Sequence, residues 1–169
     1  MSLNDVVYDL GSGDGRLLFT ALEKGAGKAV GVELDPVHAR EARETARKKG
    51  LEDKVTFFKA DVMDVDLSDA TVVLCYLFTT ASAALKPKFE SELKPGTRIV
   101  MESFPIHGWK PAQVKEHGNK TFYLYRMLPE TMDQDEEEGI CRACFASFTV
   151  NCCNLQIGEA NRINCHLSF

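Results

Sequence analysis

The chain has 169 residues, 44% hydrophobic, 27% charged and 9% aromatic, with a formal charge of −5. That length fits one domain, or one domain with a tail, and such a chain buries ~70% of its unfolded surface without needing disulfides or a metal to fold. The balance excludes a wholly disordered or fibrous protein, and the missing ~20-residue apolar run and basic-then-apolar leader lead us to expect a soluble, cytoplasmic chain with no membrane partner.

Val6–Leu10 is an apolar run suited to a buried parallel strand. It breaks at Gly11-Ser12-Gly13-Asp14-Gly15, and Leu17, Leu18, Ala21 and Leu22 then recur at helical spacing. Lys28–Glu33 reads as the second strand. Asp35-Pro36 supplies a helix cap followed by proline at the first helical position, and Gly50 ends that helix after Lys48-Lys49. Val55–Lys59, Thr71–Leu77 and Arg98–Phe104 read as strands three to five. Between the last two, Thr80–Leu93 reads as helix, interrupted or restarted at Pro87. Gly118-Asn119 separates Ala112–His117 from Lys120–Arg126, a hairpin signal. Repeated strand–helix units predict an α/β, doubly wound, mostly parallel sheet closed by an antiparallel hairpin, with ligands at the carboxyl ends of the strands.

The charge is uneven. Residues 1–128 hold 18 Lys+Arg and 18 Asp+Glu, while Asp133 and Asp135 to Glu138 form an acidic run. A neutral body lacks the basic footprint of a dedicated nucleic-acid surface. Five of the six cysteines follow the acidic run. We therefore expect a domain over residues 1–128 and an acidic linker with a Cys-rich tail over 129–169. Cys141-x-x-Cys144, Cys152-Cys153 and Cys165-His166 are donor types for zinc. The second pair is adjacent, however, and eleven residues separate Cys153 from Cys165, so no metal site is assigned. The tail reads as an extra strand over Ala143–Val150 or an irregular end.

The strongest chemical signal is Asp9-Leu10-Gly11-Ser12-Gly13-Asp14-Gly15 between a strand and a helix. Glycines let the backbone turn tightly and let a ligand approach the main chain. Glu33, 22 residues after Gly11, ends the next strand, where an acid can accept hydrogen bonds from both ribose hydroxyls. A dinucleotide site wants G-x-G-x-x-G and a helix N-terminus free for a pyrophosphate. Here the spacing is G-x-G-x-G, and Asp14 stands where the phosphate would go. A carboxylate there suits a ligand without phosphates that carries positive charge, such as S-adenosylmethionine. Asp61, just past the third strand, is placed to meet an adenine amino group, with Val62 or Met63 against the ring.

Through DLGSGDGR, GVELD and KADVMD, the chain resembles the class I methyltransferases that use S-adenosylmethionine. The likeness continues along DVDLSDATVVLCYLFTTASAALKPKFESELKPGTRIV to GWKP and FYLYRM, a pattern similar to the small archaeal and bacterial branch related to archaeal protein-lysine methyltransferases and eukaryotic mitochondrial lysine methyltransferases. It covers about residues 5–129 and implies a Rossmann-like fold. It further implies that Asp9, Gly11, Ser12, Gly13 and Gly15 hold the methionine end of S-adenosylmethionine. Glu33 would hold the ribose and Asp61 with Val62 the adenine, Leu34 being a further cofactor-binding residue and S-adenosylhomocysteine the product. Tyr76, Leu77, Phe78 and Thr79 would line the channel where the acceptor meets the methyl group.

A lysine acceptor must lose its proton before attack, and an aromatic channel favours the neutral amine. Tyr76, Phe78, Phe104 and Trp109 are the candidate walls. Tyr76 is the candidate catalytic residue, because its hydroxyl is able to orient an amine; Trp109 is alternatively an anchor between strand five and the hairpin. His38, His107, His117 and His166 form no metal or triad set. The N/D-P-P-Y/F pattern of amino-methylating nucleic-acid enzymes is absent after strand four, where Cys75-Tyr76-Leu77-Phe78 stands. The expected function is methyl transfer to the amine of protein lysine, with a protein substrate as partner. The alternatives are a small-molecule or RNA methyltransferase, or a cofactor-binding module of little activity. The last follows from a chain that starts almost on its first strand, whereas the resembling proteins carry a helix before it.

Overall fold

The structure, a computed structural model, describes residues 1–76 and 79–129. The expected tail strand and the cysteines from Cys141 onward lie outside the described residues, as do Leu77 and Phe78. Seven strands form one sheet in the order β3-β2-β1-β4-β5-β7-β6. They are β1 (Val6–Leu10), β2 (Lys28–Glu33), β3 (Val55–Lys59), β4 (Val72–Cys75), β5 (Arg98–Glu102), β6 (Gln113–His117) and β7 (Lys120–Arg126). The first five are parallel, and β7 runs antiparallel to both β5 and β6. The chain order reverses beside β1, so β1 and β4 flank the switch point where open α/β sheets bind ligands.

The two faces are set by alternation along the strands. Val7, Ala29, Val55, Phe57 and Val72 pack with Leu18, Phe19 and Ala21 of α1 (Arg16–Glu23) and with Ala42 and Ala46 of α2 (Pro36–Lys49). Tyr8, Leu10, Val73, Cys75, Ile99, Met101 and Tyr125 pack with Leu85 and Phe89 of α3 (Thr79–Glu92), and with Ile106 and Trp109. Fully burying a side chain of this size contributes ~1.5–3 kcal/mol. The start and stop signals of α2 operate as their chemistry dictates. Asp35 accepts the Val37 N–H at 2.7 Å, and Gly50 ends the helix at φ 64°.

Three expected boundaries move. α3 is continuous through Pro87 rather than broken there. Proline removes one hydrogen bond to the preceding turn, but Pro87, Ala83 and Ala84 are all exposed, so the orphaned carbonyl lies on the solvent side while Leu85 and Phe89 hold the other side in the core. β4 ends at Cys75 rather than at residue 77. β5 ends at Glu102 rather than Phe104, because Ser103, whose N–H makes the last bond to β7 at the Thr121 carbonyl (2.7 Å), turns the chain at φ 67°. The hairpin forms at Gly118-Asn119, where Gly118 (φ 61°) supplies the positive dihedral a tight turn requires.

Candidate active site

β1, β2 and β4 end in register, with Leu10 opposite Val32 on one side and Cys75 on the other, while Glu33 stands opposite Lys59 of β3. The loop after β1 therefore crosses one edge of the sheet beside the ends of β2, β3 and β4. Gly11 and Ser12 donate their N–H groups to the Val32 carbonyl at 2.9 and 3.0 Å, hooking the loop onto β2. Gly11, Gly13 and Gly15 have φ values of 85°, 53° and 79°. These left-handed values cost any residue with a Cβ ~1–2 kcal/mol. At Gly15, the residue before α1, a Cβ would also lie 2.5 Å from Cζ of Phe57.

Asp9 and Glu33 stand at this loop, and Asp61 follows β3 at the same end of the sheet. Asp9 is buried at 3% exposure, and that burial, with the Glu33 carboxylate as a second cause, pushes its pKa up to about 7. Glu33 accepts the Gly13 N–H through Oε2 at 2.8 Å and the Asp35 N–H through Oε1 at 2.9 Å, and so ties the glycine loop to the start of α2. Asp61 accepts the Met63 N–H at 3.0 Å and caps the 3-10 turn Val62–Asp64. Asp14 pairs with Arg16 at 2.7 Å beside the first turn of α1. The Arg16 hydrogen bonds hold its carboxyl below the usual range.

The candidates of the cofactor side thus fall together: Asp9, Gly11, Ser12, Gly13, Gly15, Glu33, Leu34, Asp61 and Val62 all stand at the carboxyl ends of β1, β2 and β3 or in the loops after them. Leu34 is exposed and Val62 is half-buried against the core. Ser12 Oγ is buried and makes no hydrogen bond among the described residues. On the acceptor side, Tyr76 follows β4 and is 59% exposed, Thr79 opens α3 and Phe104 is half-buried beyond β5. Trp109 lies in the core. Its ring meets that of Tyr125 at 5.9 Å and its indole N–H points at Glu90, so its bulk packs the α3 face instead of walling an open channel. His38 and His117 are exposed, on α2 and beside the hairpin turn.

Two features carry no loop-like motif and escape a reading by sequence. Gly31, mid-strand in β2, has no room for a Cβ, which would lie 2.4 Å from the Phe57 ring and 2.7 Å from Ser12 Oγ. A glycine inside a strand was the available signal. Glu102, Lys120 and Tyr76 meet at the end of β5. Lys120 Nζ lies 2.5 Å from Glu102 Oε1 and 5.6 Å from the Tyr76 ring centroid. They are far apart in sequence, and only the antiparallel pairing of β7 with β5 joins them. Among the described residues, no group of three or more His, Cys, Asp or Glu is placed to hold a metal, and no helix is long and apolar enough to cross a membrane.

The comparisons with known proteins agree with this geometry. The family model of the ANTKMT methyltransferase domain matches residues 9–113. A protein-lysine N-methyltransferase of Saccharolobus islandicus (strain REY15A) is 46% identical over 130 residues, which are 74% of this chain and 81% of that protein. The adenine nucleotide translocase lysine N-methyltransferase of Mus musculus is 34% identical over 119 residues, and the matched region is about half of its length (52%). Among solved structures, an RNA methyltransferase from Salinibacter ruber in complex with S-adenosyl-L-homocysteine superposes with a TM-score of 0.73 at 36% identity, covering 80% of this chain and 89% of that one. The chain belongs to the family of the ANTKMT methyltransferase domain.

Proposed function

We propose that the chain transfers the methyl group of S-adenosylmethionine to the side-chain amine of a lysine in a protein. One observation carries the cofactor: a glycine loop in left-handed conformation with Glu33 bonded to it, buried Asp9 beside Glu33, and Asp61 after β3 at the same end of the sheet. The group fits what is present. Asp9 is a buried carboxyl suited to an ammonium, Glu33 stands beside it with further lone pairs for ribose hydroxyls, and Ser12 Oγ is a buried polar atom in need of a partner. Asp61 and Val62 suit an adenine amino group and ring. When bound, S-adenosylmethionine supplies a methyl group on a sulfonium that departs as a neutral thioether. The chain's own task is then to orient two partners and exclude water. Asp9 and Glu33 fix the donor, and Tyr76 orients the incoming amine, which gives up its proton to water before its lone pair is used.

Lysine is favoured over RNA by the electrostatics of the body. Its 18 cationic and 18 acidic residues leave it neutral, without the net positive charge that favours phosphate backbones. The likeness to the Saccharolobus islandicus protein-lysine N-methyltransferase supports the same acceptor. The test is transfer of radiolabelled methyl from S-adenosylmethionine into a cell lysate by the full chain, with protease and RNase arms. Label recovered as acid-stable methyl-lysine is the expected result. Label removed by RNase assigns an RNA acceptor instead, and no label with no cofactor affinity overturns the reading.

A further inference from the structure

Glu102 is the last residue of β5, and its side chain is only 15% exposed. Its Oε1 meets the ammonium of Lys120, the first residue of β7, which is 51% exposed and which also lies over the ring of Tyr76. The register fixes where this cluster stands. Asp9 pairs with Leu74, and Leu74 with Val100, so the three share one face of the sheet. Glu102, two residues further along β5, keeps that face, while Gly11 and Tyr76 come just past the ends of β1 and β4. The cluster thus lies at the same carboxyl end of the sheet as the glycine loop, with Tyr76 one strand and Glu102 two strands from β1 on the acceptor side. The turn that follows is built to hold Glu102 there: Ser103 takes φ 67°, and Phe104 donates its N–H to the Glu102 carbonyl at 2.8 Å.

An exposed ion pair adds little to folding, and a largely buried carboxylate with one half-exposed partner is a poor stabilising device. A carboxylate beside an aromatic face is, however, what recognises an alkylammonium. We propose that Glu102 and the Tyr76 ring form the seat for the acceptor's ammonium, and that Lys120 is an internal occupant which the incoming lysine displaces. This inference rests on the methyl-transfer reading and names the group that docks before transfer. Lys120 has the same terminal group as the acceptor, so the two compete for one place. Glu102 and Tyr76 then discriminate a primary ammonium from a neutral group of the same length, and the hairpin that carries Lys120 sets how readily the seat opens.

The test uses the full chain saturated with S-adenosylhomocysteine and titrated with n-butylammonium chloride, a mimic of the lysine side chain, with 1-butanol as the neutral control. Binding is followed by two-dimensional NMR. Lys120→Ala, which removes the competitor, is expected to bind n-butylammonium at least threefold more tightly than the native chain. Lys120→Gln, which keeps most of the length without the charge, is expected to do the same. Glu102→Gln is expected to lose the preference for n-butylammonium over 1-butanol, and Glu102→Asp to keep part of it. S-adenosylhomocysteine affinity stays native in all four variants, which reports an intact fold and cofactor pocket. Unchanged or weaker n-butylammonium binding in both Lys120 variants overturns the proposal, as does a Glu102→Gln chain that retains the preference. If the native chain fails to bind S-adenosylhomocysteine at all, it is the methyl-transfer reading that falls.

Discussion

Glu33 accepts the Gly13 N–H at 2.8 Å, so the acid that ends β2 also fixes the middle of the glycine loop that leaves β1. One carboxylate therefore shapes the loop and stays available at the pocket's edge. Charge-assisted hydrogen bonds contribute ~1.5–3 kcal/mol each. Replacing Glu33 with Ala is expected to weaken S-adenosylmethionine binding by ~10–100-fold in a calorimetric titration. Glu33→Gln should fall between, because the amide keeps one acceptor oxygen and turns a donor toward a neighbouring N–H. Because Gly13 is only half-buried and Asp35 is exposed, water takes over both N–H groups and the melting temperature should move little. Native affinity in Glu33→Ala would remove Glu33 from the site.

Asp9 carries the second expectation. Its pKa is pushed up to about 7 from 3.8, first by burial and then by Glu33. Between those two values the folded chain holds a proton that the unfolded chain has lost, so this residue's contribution falls as pH rises through the window. Asp9→Asn should therefore gain stability over the native chain most at pH 8, with the gap narrowing toward pH 4 in urea titrations. Ligand binding runs the other way. A ligand ammonium requires the ionised carboxylate, so S-adenosylhomocysteine should bind about tenfold more weakly at pH 6 than at pH 8, with close to one proton released at pH 6. Calorimetry in two buffers of different protonation enthalpy reads that proton. An Asp9→Asn chain with the same pH dependence would sink the assignment.

The elements were legible where local chemistry decides them. Asp35-Pro36, Gly50 and Gly118 act through a single residue's side chain or dihedral, and each is in the structure where its sequence puts it. Ends decided by tertiary contacts were not. β5 stops at Glu102 because Ser103, still bonded to Thr121 of β7, turns the chain at φ 67°, and α3 passes through Pro87 because the core holds Leu85 and Phe89 on the far side. The same division runs through the site. The acids at strand ends follow from the repeat of strand, loop and helix, which brings consecutive carboxyl ends to one edge. Lys120 and Glu102 become neighbours only through an antiparallel pairing, and a tryptophan reads alike in sequence whether it walls a channel or, as Trp109 does, fills a core.

Gly31 tests how tightly the glycine loop is packed from below. A Cβ there would come within 2.4 Å of the Phe57 ring and 2.7 Å of Ser12 Oγ. Overpacking of this kind costs ~1–3 kcal/mol. Gly31→Ala should lose about that much in urea unfolding and should also weaken S-adenosylmethionine binding, because Ser12 is displaced. Adding Phe57→Leu makes room on one side. The double variant should therefore be more stable than the two single costs added together, a coupling that only contacting residues show. Strict additivity would mean that the ring and the strand do not press on each other.

The opposite edge of the sheet supplies the contrast. Burial raises the Asp5 carboxyl, but the Ser2 N–H, the Thr71 hydroxyl and the Arg98 guanidinium together bring its pKa below 3.8. Asp5 accepts from Ser2 at 2.7 Å, from Thr71 at 3.0 Å and from Arg98 Nη2, and so joins the amino ends of β1, β4 and β5. Arg98→Ala leaves that carboxylate with two neutral donors and should cost ~1–3 kcal/mol at pH 7. A depressed pKa contributes stability that is present above 3.8 and is lost as pH falls through the lowered value, so the gap between native and Arg98→Ala chains should narrow as pH falls below 3.8. Cofactor affinity should not change, since these residues lie a full strand length from the glycine loop. A variant equally destabilised at Gly31 should lose affinity, and the pair separates damage to the pocket from damage to the fold. Should Arg98→Ala lower S-adenosylmethionine affinity as much as Gly31→Ala does, affinity would be tracking global stability and the edge-specific role of the loop would fail.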